Sequence, residues 1–138
     1  MIYSSSKHKD CKNQDIEDIL SRSRKNNPEL DLTGMLIYTE DRFLQVLEGP
    51  LGNIMKLYNK INKDTRHAGS RIRYCEPTNE RFFGNWHMAG KGLSSSSLDT
   101  HTDLSESEKL IVQNMMDGDL TSYSDDSMKL LKTFLSIA

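Results

Sequence analysis

Apolar residues change their spacing several times along the chain, and each change marks an expected element. Positions 1–5 open with Met1-Ile2-Tyr3 and suit a short strand, followed by a polar loop from Ser6 to Lys12. Ile16, Ile19 and Leu20 then fall at i, i+3 and i+4, the stripe of an amphipathic helix. Asn13 is its expected N-cap, and Asp15 and Glu17 suit the positive end of the helix dipole. Pro28 stops this helix near Asn27, because the residue before a proline is pushed out of helical geometry. Positions 30–38 are apolar around Thr33-Gly34 and predict a strand. The charged pair Glu40-Asp41 predicts a turn, and positions 42–48 form the second strand of a hairpin. Pro50 suits the first turn of a second helix, in which Leu51, Ile54, Met55, Tyr58 and Ile61 recur at helical spacing. Positions 71–76 and 82–88 read as two further strands.

The order βαββαββ predicts an open α+β sandwich, a mixed five-stranded sheet with two helices on one face. Positions 91–103 contain Ser94 to Ser97 and no apolar rhythm, and read as a linker. Leu104, Leu110, Ile111 and Met115 predict another helix, with Ser105 and Glu108 as its capping box. Met128, Leu130, Leu131, Phe134 and Leu135 predict a last one. Neither can form a core alone, so both are expected to cover the sheet's other face. The expected organisation is therefore a domain over 1–90, a linker over 91–103 and a helical extension over 104–138.

Composition narrows the class of function. The chain has 138 residues, enough for one domain with a real core. A formal net charge of -2 offers no basic surplus for nucleic acid or an anionic membrane. No apolar run approaches the roughly 20 residues of a membrane span, and the N-terminus lacks a secretory layout. Cys11 and Cys75 make no disulfide framework and no CxxC pair, so a reduced cytoplasmic setting is expected. Phosphate-loop, dinucleotide, HExxH and Gly-x-Ser-x-Gly patterns are all missing, and the four histidines are dispersed. Hydrolytic and metal chemistry are disfavoured.

One residue carries a sharper signal. Gln45 interrupts the apolar run Phe43-Leu44-Gln45-Val46-Leu47 and, by strand alternation, shares a face with Phe43 and Leu47. If that face meets the core, the amide needs partners or costs roughly 1–3 kcal/mol. Its acceptor and donor ends could then bridge two polar groups and exchange roles by a flip. On the solvent face of an edge strand it would mean nothing. Alternation alone allows both.

Six blocks occur in order: Ile2-Tyr3-Ser4-Ser5, Lys25-Asn26-Asn27-Pro28, Leu32-Thr33-Gly34-Met35-Leu36, Phe43-Leu44-Gln45-Val46-Leu47-Glu48-Gly49, Asp64-Thr65-Arg66-His67 and Phe83-Gly84-Asn85-Trp86-His87-Met88. In these blocks, from Met1 to about Ala89, the chain resembles the BLUF family of blue-light sensors using FAD. The resemblance implies a ferredoxin-like sandwich and non-covalent FAD, with FMN or riboflavin as substitutes in recombinant material. It implies that Tyr3 is the electron and proton donor to the excited flavin. Gln45 stands between Tyr3 and the flavin N5/O4 edge. Asn27 bonds the ring near its C4 carbonyl, Arg66 and Asn26 lie toward the C2 carbonyl, and His67 lies near the ring and ribityl chain. Trp86 and Met88, on the last strand, alternate beside Gln45 in the family's signalling schemes. The ring would lie between the first two helices, with Ile19, Leu36 and Leu57 as walls. Relatives usually carry a few more residues before the tyrosine, and often a basic residue or histidine where Asn26 stands.

The resemblance thus implies a sensor and not an enzyme, with signalling through a partner protein or a change of homo-oligomer, a dimer or larger ring. No cyclase, phosphodiesterase or DNA-binding pattern follows position 90, so output is expected through a surface. Singly, each residue has a duller reading. Tyr3 could be an ordinary strand tyrosine, Trp86 and Met88 plain core, Arg66-His67 a solvated loop, and Asn26-Asn27 turn chemistry before a proline. A flavin-dependent redox protein and a light-independent interaction module are the competing functions.

Overall fold

The computed structural model describes residues 1–84 and 86–92, with positions 105–107, 110, 113, 114, 126 and 129 beyond them. Seven elements follow in order: β1 (Ile2–Lys7), α1 (Asn13–Asn26), β2 (Thr33–Tyr38), β3 (Arg42–Glu48), α2 (Leu51–Ile61), β4 (His67–Tyr74) and β5 (Ala89–Gly92). The sheet order is β4-β1-β3-β2-β5. Only β5 runs parallel to its neighbour, β2; the other pairs are antiparallel. This is the expected ferredoxin-like sandwich with a mixed five-stranded sheet. The expected C-terminal helices, apart from isolated positions, and the stretch 93–103 lie outside the described residues.

Both faces of the three inner strands, β1, β3 and β2, are dry over most of their length, whereas the edge strands β4 and β5 are half-buried or exposed. On one face, Tyr3, Leu36, Phe43 and Leu47 pack with Ile16 and Leu20 of α1 and with Ile54 and Tyr58 of α2. Burying each such aliphatic side chain stabilises the fold by roughly 1.5–3 kcal/mol. Alternation sends Ile2, Met35, Ile37, Leu44 and Val46 to the opposite face, where none is more than 3% accessible. The helix stripe holds except at Leu51, which is 60% exposed. No helix among the described residues is long and apolar enough to cross a membrane.

Several boundaries differ from expectation, each for a local reason. β1 runs through Ser6 to Lys7, because β3 on one side and β4 on the other pair with it along its length. Asn13 is the first helical residue of α1, and Lys12 stands at the cap with its N–H donated to the Asp15 carboxylate at 2.8 Å. β2 begins at Thr33 because residues 28–32 form a turn, with Leu30 and Leu32 N–H both donated to the Asn27 carbonyl. Asp31 adopts φ 53° there, a left-handed conformation that aspartate tolerates. β4 starts at His67, ahead of the expected 71.

The largest correction concerns positions 82–88, expected as a strand. Residues 82–84 form a turn, and the last strand is Ala89–Gly92. The amides that a strand would give to a neighbour go to a buried carboxylate instead. Glu48, at the end of β3, accepts from Phe82 N at 2.7 Å and Phe83 N at 2.8 Å. Phe83 is fully buried and its ring lies 5.6 Å from that of Trp86. Trp86 and Met88 therefore lie on the segment leading into β5, not on it.

Candidate functional site

A cavity of about 290 Å³ opens between α1 and α2 above the centre of the sheet. That is just under the ~300–1,000 Å³ of small-molecule sites. Tyr3, Leu36, Phe43 and Gln45 form its floor. Ile19, Ser23, Asn26 and Asn27 line the α1 side, and Leu57 and Ile61 the α2 side. Asp64 and Arg66, between α2 and β4, and His67, the first residue of β4, close one end. Six of the eight expected site residues thus meet in one cavity: Tyr3, Asn26, Asn27, Gln45, Arg66 and His67. Trp86 and Met88 do not line it.

Register explains the central pair. Tyr3 of β1 lies directly opposite Gln45 of β3, and both side chains point to the helix face. β3 is the middle strand, so Gln45 is 3% accessible and cannot sit on a solvent face. The Tyr3 hydroxyl donates to Gln45 Oε1. That contact fixes the amide, leaving Nε2 to point at Met88 Sδ, 3.5 Å away. Met88, 3% accessible, stands beside Gln45, whereas Trp86 is turned to Phe83.

Electrostatics keep Tyr3 neutral. Burial pushes its phenol far above the ordinary value of 10, and Tyr58 and Asp64 push the same way. The Tyr58 ring meets Tyr3 edge-on at 5.3 Å, and its hydroxyl is shared with Ser70 at 2.7 Å.

Asn27 sits at the junction of the site. Its backbone caps α1, and its Nδ2 donates to the His87 carbonyl at 2.6 Å. That donation orients the amide, and Oδ1 is left buried without a partner. His67 shows a similar pattern: Nε2 lies 2.6 Å from the Ile61 carbonyl, so it carries the proton, and Nδ1 is buried and unpartnered. Two acceptors therefore border the cavity with no donor from the chain. Arg66 is held at 2.9 Å (Nε) and 2.5 Å (Nη2) on the Asp64 carboxylate. These hydrogen bonds hold the Asp64 carboxyl below its ordinary 3.8, although burial opposes them. Arg66 retains further N–H groups on both terminal nitrogens. Asn26 is exposed at the rim.

Sequence reasoning missed three residues around the site. Arg24 reaches the Met88 carbonyl, Glu48 ties β3 to the turn at 82–83, and Tyr58 abuts Tyr3. Tyr58 had its place in the α2 stripe and Glu48 its place in the fourth block as sequence signals, but neither pointed to these contacts. Arg24 and Glu48 both bond backbone atoms, whose partners no side-chain pattern reports.

Similar proteins share this architecture. The blue light- and temperature-regulated antirepressor BluF of Escherichia coli (strain K12) is 28% identical over 139 residues, covering 98% of this chain and 32% of that protein. The photoactivated adenylate cyclase subunit alpha of Euglena gracilis is 35% identical over 71 residues, covering 51% of this chain and 7% of that one. The chain thus spans about a third or less of these curated relatives. Among solved structures, BlsA in its photo-activated state superposes with a TM-score of 0.71 at 25% identity, covering 99% of this chain and 93% of its own. The dark-state structure of BlrB gives 0.67 at 28% identity, covering 88% and 94%. Residues 1–89 match the family described as BLUF, sensors of blue-light using FAD, and the chain belongs to that family.

Proposed function

We propose that this chain senses blue light through FAD held between α1 and α2, with Tyr3, Gln45 and Met88 as its switch. The observation that carries the reading is the Gln45 amide, buried at the cavity floor between a neutral phenol and a thioether. An amide is asymmetric, so turning it over exchanges donor for acceptor toward both neighbours.

The residues fit a flavin. The partnerless Asn27 Oδ1 suits the imide N–H of an isoalloxazine ring, and the spare N–H groups of Arg66 suit a ring carbonyl. Ile19, Leu36 and Leu57 supply apolar walls. Arg22 and Lys60, exposed on opposite sides of the cavity, suit the diphosphate of FAD. The bound flavin supplies blue absorption and, when excited, a strong oxidant.

Tyr3 is the donor of an electron and a proton. Its burial forbids a standing phenolate, so the proton cannot leave ahead of the electron; it departs along the bond to Gln45 Oε1, and electron and proton both return to Tyr3. Gln45 then settles in a second orientation, which withdraws Nε2 from Met88 and changes the hydrogen bond offered to the ring. Nothing is consumed, and the first arrangement returns thermally. Met88 leads directly into β5, so the change passes to residues 89–92 and on to the 104–138 extension, a homo-oligomer contact or a separate protein. BluF is named an antirepressor and the Euglena relative a cyclase subunit, so one sensor serves different outputs.

Purified protein is expected to be yellow and, under blue light without added reductant, to show a red shift that reverses in the dark. Bleaching only with an added substrate would mark a redox enzyme, and a colourless protein would end the flavin reading. With Tyr3 held neutral, the shift should keep its amplitude from about pH 6 to about pH 10, where an ordinary phenol ionises. The sign follows from the raised value: the folded state keeps the proton while the unfolded chain releases it, so stability falls above about pH 10. A shift that fades with an apparent pKa near 10, the value of an ordinary phenol, would show Tyr3 to be solvated.

A further inference from the structure

One face of α1 follows the backbone leading into β5 step by step. Asn27 Nδ2 donates to the His87 carbonyl at 2.6 Å, and Arg24 Nε donates to the Met88 carbonyl at 2.9 Å. Two residues on, Gly90 lies against Leu20. A Cβ on Gly90 would stand 2.5 Å from one Leu20 methyl and 2.8 Å from the other. Leu20, Arg24 and Asn27 are spaced i, i+4 and i+7, a single stripe of the helix. Successive turns of α1 therefore meet residues 87, 88 and 90 in turn.

Of these contacts, the one from Arg24 is made to the residue whose side chain meets Gln45. The Met88 carbonyl is bonded to Arg24 while its sulfur faces Gln45 Nε2 at 3.5 Å. On the neighbouring strand, Gly34 N–H donates to the Trp86 carbonyl at 2.8 Å, which holds the same segment two residues earlier. Arg24 itself is exposed, so its charge stays hydrated and its replacement opens no hole in the core.

We infer that Arg24 is a positioning residue, one that sets Met88 inward beside Gln45 and thereby controls how fast the switch resets. The inference rests on the sensor reading above. Met88 O is a neutral acceptor and the guanidinium a charged donor, so this hydrogen bond is of the stronger class. When Gln45 withdraws and Met88 moves off, the segment loses both of its holds at that residue, the amide on its sulfur and the guanidinium on its carbonyl. Thermal return must re-form both, and a hydrogen bond re-formed at the barrier speeds that return.

The test uses the full flavin-loaded chain with Arg24→Met and Arg24→Lys. Arg24→Met keeps the length of the side chain without a donor, and should retain flavin and the amplitude of the shift. Its dark recovery should slow about ten-fold, the effect of one charge-assisted hydrogen bond made at the barrier. Arg24→Lys keeps a cationic donor and should recover within about two-fold of the unsubstituted chain. A structural role alone would lower melting temperature and leave recovery unchanged. Recovery of Arg24→Met at the original rate, or Arg24→Lys as slow as Arg24→Met, overturns the inference. Hydrogen exchange at the Gly34 amide in the dark provides a second readout that needs no photochemistry. It should speed up in Arg24→Met, and unchanged exchange overturns the clamp. A chain with no reversible shift defeats the sensor reading instead, and the Gly34 exchange still decides whether Arg24 holds the segment.

Discussion

Gln45→Leu is expected to abolish the reversible red shift while the protein stays folded and yellow. Leucine approaches glutamine in size and is at home beside Phe43 and Leu47, so the floor of the cavity keeps its shape. What disappears is both ends of the bridge. Tyr3 loses its acceptor, and Met88 loses the amide that faces its sulfur. A buried hydroxyl left without a partner costs roughly 1–3 kcal/mol, which the domain should survive at reduced stability. Tyr3→Phe approaches the same bridge from the other side, removing the O–H while leaving the ring against Tyr58. It too should bind flavin and lack the shift. Absorption spectra before and after illumination, with flavin content measured on the same sample, check both variants. A full photocycle in Gln45→Leu would end the role given to the amide; one in Tyr3→Phe would move the donor elsewhere, with Tyr58 the nearest phenol.

Gly34→Ala carries the largest expected effect on stability. A Cβ at this position would lie 1.9 Å from the Val46 carbonyl oxygen and 2.9 Å from its carbon. Those are backbone atoms of the middle strand, which cannot swing aside as a side chain can. Relieving the collision means parting β2 from β3 where Gly34 faces Leu47. The same shift would strain the hydrogen bond from Gly34 to Trp86 and so the segment carrying Met88. Overpacking of this kind costs typically about 1–3 kcal/mol and more where rigid atoms collide, so a loss of at least ~3 kcal/mol is expected. Urea unfolding of the two proteins measures it. A midpoint unchanged by the substitution would show that β2 and β3 part at Gly34 without cost.

The elements whose residues follow one period were legible in the sequence. The stripe of Ile16, Ile19 and Leu20 marked α1, and β3 was delimited to the residue by Arg42 and Glu48. The last strand, Ala89–Gly92, lies beyond the apolar positions 82–88, because apolar content does not report pairing. Phe83 and Trp86 are apolar because they pack on each other in a loop whose amides are met by Glu48, a long-range contact that alternation does not encode. The true β5, Ala-Gly-Lys-Gly, has weak strand propensity and is held by backbone pairing to β2 and by the room its glycine leaves for Leu20. Gln45 was ambiguous for a related reason. Whether its face was wet or dry depended on which strands flank β3, and only the topology decides that. The cavity residues came from motif blocks, and the fold brings together those on β1, α1, β3 and the start of β4. Arg24 stayed hidden because its partner is a carbonyl, identical in every residue.

Reading across the sheet instead of along it, Ile72 faces Tyr3, Tyr3 faces Gln45, Gln45 faces Leu36 and Leu36 faces Gly90. All five strands contribute to a single transverse rung, with the phenol and the amide in its middle and the outgoing chain at its end. Three strand spacings, about 14 Å, separate Tyr3 from Gly90. Along that rung a disturbance at the centre reaches the edge through Leu36, so Gly90 is approached from two sides, across the sheet by Leu36 and along the chain by Met88.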